Sequence, residues 1–116
     1  MVFLDTCIWI ELCAARVPIT EHEKKQAESA SRLLKKLKEE QEEIITCNGQ
    51  VLEIISAIQK VKLREYNRTC NSSNDKKVGN MKEYRNTKDF EVTKSFCRSV
   101  YHDFSALENK EYIHII

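Results

Sequence analysis

With 116 residues and 41% hydrophobic content, the chain suits one domain with a modest core and leaves no room for a second domain of ordinary size. A formal net charge of +1 excludes a strongly acidic or basic protein, yet residues 1–58 carry seven Lys/Arg against ten Asp/Glu and residues 59–116 carry twelve against eight. The basic surplus of the second half makes nucleic acid a partner to consider, although a solvated lysine-rich face is the commoner origin of such a bias.

No apolar run approaches the roughly 18 residues of a membrane span, and Met1 leads straight into a strand-like segment without a basic flank or cleavage site. A cytoplasmic protein without membrane contact is expected. Cys7, Cys13, Cys47, Cys70 and Cys97 are an odd set with no C-x-x-C pair, so they read as reduced thiols packing as small apolar groups. Neither a disulfide frame nor a tetrahedral zinc site is suggested.

In chain order, Val2, Phe3 and Leu4 form an all-apolar run, as expected of a strand buried on both faces of a parallel sheet. Ile8, Trp9 and Leu12 then recur at helical spacing, so Asp5, Thr6 and Cys7 occupy the turn between a strand end and a helix start, where open α/β sheets put their ligands. Pro18 interrupts or closes this helix, and Thr20 with Glu23 makes a capping box for the next. Ala27, Ala30, Leu33, Leu34 and Leu37 give that helix an apolar stripe opposite a Lys/Glu face.

Ile44, Ile45 and Thr46 read as a second short strand, and Asn48 as a cap. Val51, Ile54, Ile55, Ile58 and Val61 mark a long helix. Strand, helix, strand, helix argues for an α/β fold with a parallel sheet. A flexible loop near residues 67–82 follows, rich in Asn, Ser and Lys, with two glycosylation-like triplets that here only mark surface. A last helix begins at Asn86 or Thr87 and buries Phe90, Phe96, Val100, Phe104 and Leu107. YIHII is a final strand or the start of a further element.

The carboxylate of Asp5, placed after an apolar strand, needs a counter-charge, a donor or a metal. Glu53 lies in the first turns of the helix after the second strand, so in a parallel sheet the two acids fall on one edge. Gathered carboxylates repel one another unless a cation lies between them, and Mg²⁺ or Mn²⁺ is the natural choice. Thr6 adds a hydroxyl able to orient water. Taken alone, an Asp before a helix is usually an N-cap, and a Glu within VLEII is usually the exposed position of an amphipathic helix. Lys60, Lys62, Arg64 and Arg68 follow Glu53 and either attract a phosphate backbone or solubilise the helix.

VFLDTCIWIEL resembles the opening of PIN-domain nucleases, and IITCNGQVLEIISAI resembles their second strand and the helix carrying the next acid. Asp5, Thr6 and Glu53 are the matching positions. The resemblance implies one PIN-like three-layer α/β/α domain over residues 1–116, metal-dependent cleavage of RNA with Mg²⁺ or Mn²⁺ as cofactor, and often a toxin role with an antitoxin protein as partner. Under it, Asp5 and Glu53 ligate the metal. The family pattern also expects a third acid opening a later helix and a fourth after a further strand. Asp103 is the candidate third ligand; the preferred alternative is that the domain is incomplete at the C-terminus, leaving apolar surface that a homodimer would cover. The rival reading is a non-catalytic interaction module, and a DNA nuclease of the same fold is not separated from an RNA nuclease.

Cys97 and His102 are spaced wrongly for a nucleophile and base on one helix face. His22, His102 and His114 are scattered, and Trp9 falls on an apolar stripe that suits core packing better than base stacking.

Overall fold

The computed structural model describes residues 1–70 and 77–116. The chain folds as β1 (Val2–Phe3), α1 (Thr6–Leu12), α2 (Glu21–Glu39), β2 (Ile44–Thr46), α3 (Asn48–Cys70), α4 (Met81–Tyr84), α5 (Asp89–Asn109) and β3 (Ile113–Ile115). The loop expected near residues 67–82 is narrower than the composition suggests. Asn67–Cys70 still belong to α3, Met81 and Lys82 belong to α4, and residues 71–76 of that loop lie outside the described residues. Asn67 exchanges two hydrogen bonds with the Val78 backbone, at 3.0 and 2.9 Å, which holds the end of α3 against the approach to α4.

The three strands are parallel and lie in the order β1-β2-β3. Val2 pairs with Ile44 and Ile44 with Ile113, while Phe3 pairs with Ile45 and Ile45 with His114. Paired residues share a sheet face. Val2, Leu4, Ile44, Ile113 and Ile115 join Trp9, Leu37, Ile54, Ile58, Val100 and Phe104 in one core. The row Phe3, Ile45 and His114 does not, and Phe3 is 55% exposed.

This corrects two expectations. The first strand is a sheet edge with one face open, and the described residues form two layers instead of α/β/α. The physical reason is direction: successive parallel crossovers of the same hand, stepping one strand the same way each time, place all their helices on one side. A second helical layer needs a reversal of strand order, and none occurs among the described residues.

Helix starts and stops follow local chemistry. Asp5 caps α1, Thr20 accepts the Glu23 backbone N–H at 3.1 Å, and Asn80 accepts that of Glu83 at 2.9 Å. The Glu23 side chain does not complete a capping box; it is buried and lies 4.0 Å from Arg16 Nε. Helix α5 starts just beyond Thr87, whose Oγ1 accepts the Phe90 N–H at 3.3 Å. The short α4 escapes sequence reading, yet its Tyr84 is fully buried and donates to Asp89 Oδ2 at 2.6 Å. Burial and the neighbouring Asp89 push the Tyr84 phenol far above its ordinary range.

Three helices end in the same way without glycine. Ala14, Gln41 and Glu111 have φ of 54°, 56° and 61°. Each donates its N–H three residues back while the next residue donates five back, as in Gln41 to Lys38 at 3.2 Å and Glu42 to Leu37 at 2.9 Å. This is the Schellman closure, in which a left-handed residue normally favours glycine. Among the described residues no helix is long and apolar enough to cross a membrane.

The interaction that positions the sheet is a buried side-chain bridge. Thr46 Oγ1 donates to Gln50 Oε1 at 2.5 Å, and Gln50 Nε2 donates to the Leu4 carbonyl at 2.6 Å. One amide thus joins the ends of β1 and β2 to the first turn of α3. Replacing Gln50 with Leu leaves the Leu4 carbonyl and the Thr46 hydroxyl without their partner, and urea denaturation should show a loss of about 1–3 kcal/mol. Gln41→Gly removes the left-handed side-chain penalty and should raise the urea midpoint, gaining about 1 kcal/mol.

Candidate functional site

Asp5 sits at the C-terminal end of β1 in extended backbone and caps α1, its Oδ1 accepting the Cys7 N–H at 3.1 Å. That backbone hydrogen bond holds the Asp5 carboxyl below its ordinary value of 3.8. The acid is exposed and ionised. Its need for a donor is met locally, as an N-cap, by the Cys7 N–H and by the Cys7 thiol.

Glu53 lies in the second turn of α3. Gln50 reaches the Leu4 carbonyl, next to Asp5, and Glu53 follows Gln50 by three residues, about 60° around the axis and about 4.5 Å further along it. Glu53 is exposed and forms no ion pair or hydrogen bond among the described residues. Among the described residues no side-chain cap of α3 by Asn48 is seen; the Cys47 carbonyl accepts the Val51 N–H at 3.0 Å.

Asp103 is placed elsewhere. It borders a cavity with Leu12 and Cys13, at the C-terminal end of α1, whereas Asp5 starts that helix, about 10 Å of helical rise away. Burial, and secondarily the Asp103 charge, push the Cys13 thiol up to about 11. Among the described residues no three His, Cys, Asp or Glu side chains gather to hold a metal ion. The physical reason Asp103 misses the rim is that α5 runs alongside the helices and delivers Asp103 to the other end of the layer.

The four basic residues of α3 divide. Lys60 and Arg64 follow Glu53 by seven and eleven residues and share its face, with Arg68 about 60° off it. Lys62 faces the opposite way. It lies 3.5 Å from Glu65 and 5.1 Å above the Phe96 ring, so its charge is already engaged.

A cleft of about 590 Å³ opens beside Thr6 and Cys7, with Ala57 and Val61 of α3 on one wall and His22, Lys25 and Ser29 of α2 on the other. His22 and Lys25 are exposed, and Lys25 adds positive charge beside Thr6. Sequence reasoning missed both as site residues, although His22, Lys25 and Ser29 recur at helical spacing and so share a face. Arg16 also lines this cleft, but its guanidinium bonds Glu11 and, at 2.8 Å, Gln26. It fastens the turn between α1 and α2.

Comparison with protein families, with curated proteins and with solved structures finds no match to this chain.

The hydrogen bond to Cys7 fixes a pH signature. Because the native Asp5 value is depressed, its contribution to stability is complete above 3.8 and is lost as pH falls through the lower native value. A carbon-detected NMR titration should place the Asp5 midpoint below 3.8, and the stability gap between wild type and Asp5→Ala should close as the medium becomes more acidic than that midpoint.

Proposed function

We propose that the chain is a PIN-like nuclease that hydrolyses RNA phosphodiester bonds with Mg²⁺ or Mn²⁺, of the kind that acts as a toxin restrained by an antitoxin. The observation that carries the reading is the Gln50 bridge, because it ties the α3 face bearing Glu53 to the strand end bearing Asp5. Two exposed carboxylates drawn toward one another across that bridge would suit a hard, largely hydrated divalent ion. When bound, that ion supplies positive charge to the attacking and leaving oxygens of the phosphodiester.

The chain's own residues have distinct tasks. Cys7 donates to the ionised form of Asp5 and favours it further. Thr6, at the same helix start, offers a hydroxyl to orient water. Lys60 and Arg64 beyond Glu53, and Lys25 across the cleft, provide positive charge along which a phosphate backbone can lie. RNA as substrate and an antitoxin as partner come from the resemblance of the two sequence blocks.

A non-catalytic interaction module is the second reading. It is favoured by the separation of Asp103 from the other acids, since two carboxylates alone hold Mg²⁺ loosely.

A single-stranded fluorogenic RNA incubated with the chain and millimolar Mn²⁺ should be cut, with activity lost on chelation. Asp5→Asn and Glu53→Gln should each lower the rate by about 100-fold, whereas Asp103→Asn should leave it unchanged. RNA that stays intact, with no Mn²⁺-dependent rise in melting temperature that Asp5→Asn removes, would favour the interaction module.

A further inference from the structure

A second concavity lies at the opposite rim of the sheet, where β2 and β3 begin. It holds about 1070 Å³ and runs between α2, which packs on α1, and α5, which packs on α3. Trp9 and Phe104, with ring centroids 5.0 Å apart, line it together with Ile44 and Ile113. One wall is the α5 stripe Phe96, Val100 and Leu107; the other carries Leu34. The stripe from Phe96 to Leu107 is about 16 Å long.

The rim is acidic. Glu42, Glu43, Asp103, Glu108 and Glu111 border the groove against Lys38 and His114. Glu42 pairs with the terminal amine at 2.8 Å and Glu108 accepts the Ile115 N–H at 3.2 Å. Glu43, Asp103 and Glu111 have no side-chain partner among the described residues. A second, independent feature lies at the groove: Trp9 is 5% exposed, lines it, and has its indole N–H buried without an acceptor among the described residues.

We infer that this groove receives an α-helix of a partner protein whose apolar stripe is flanked by Lys or Arg. Charge complementarity chooses a basic helix, and the length of the α5 stripe suits a helix of about eleven residues laid along it. A second copy of this chain does not qualify. Its exposed large apolar side chains include Leu52 alone on α3 and Val92 with Tyr101 on α5, nine residues apart, so no helix among the described residues offers an exposed apolar stripe. The groove is separate from the Asp5 rim, and the inference stands whether or not the chain cleaves RNA.

The test uses the full chain and two synthetic 14-residue helical peptides of identical leucine stripe, one flanked by lysine and one by glutamate. Trp9 is the chain's one tryptophan, so its emission reports the groove directly. Addition of the lysine peptide should saturate a shift in that emission, with the glutamate peptide at least about tenfold weaker, a gap of one charge-selective contact or more. The net charge of +1 removes bulk attraction as the cause. The double variant Asp103→Asn, Glu111→Gln, at surface positions that leave the core intact, should bring the two peptides within about threefold of each other. Leu34→Lys should abolish the shift while circular dichroism stays native. Equal binding of both peptides, a lysine peptide indifferent to the double variant, or sedimentation showing a dimer that already shields Trp9 would overturn the inference.

Discussion

A single buried amide governs where the chemistry of this chain can lie. Gln50 accepts from Thr46 and donates to the Leu4 carbonyl, so the last residues of two neighbouring strands and the first turn of a helix are fixed by one side chain. Buried polar groups are costly unless satisfied, and this one is satisfied on both sides. A slip of one residue between β1 and β2 would turn Thr46 to the other face and separate the three partners. The register of the sheet and the placement of Asp5 relative to Glu53 therefore rest on the same pair of hydrogen bonds.

Much of this architecture is legible in the residues. The change from a run of apolar residues to helical spacing at Ile8 and Trp9 locates the strand end, and Asp5 does cap the helix that begins there. The stripes of α2, α3 and α5 bury the side chains their periods indicate, among them Ala30, Leu37, Ile54, Ile58, Val100 and Phe104. YIHII is a strand, parallel to β2. These features are local, so a single sequence states them.

What the sequence hides is set by tertiary direction or by absent signals. Phe3 looks like a core residue because a strand of three apolar residues cannot announce that one of its faces has no helix over it. Asp103 resembles a third ligand by its neighbours alone, while the course of α5 carries it to the wrong end of the layer. The helix ends at Ala14, Gln41 and Glu111 carry none of the glycines that usually mark them, and α4 is too short for a period. His22 and Lys25 read as scattered surface residues until α2 is folded against α1 and brings them beside Thr6. For the candidate site, then, the strand end at Asp5 and the helix bearing Glu53 were readable, and the cleft beside Thr6 was not.

The two-residue length of β1 carries a further consequence. An edge strand held by two paired positions and one amide opens at lower free energy than the helices beneath it, so its backbone hydrogens should exchange with solvent ahead of those of α3. Each such opening carries Asp5 away from Glu53. Anything that grips both acids must therefore close the edge of the sheet, and the same grip slows the breathing of the strand that presents the acid.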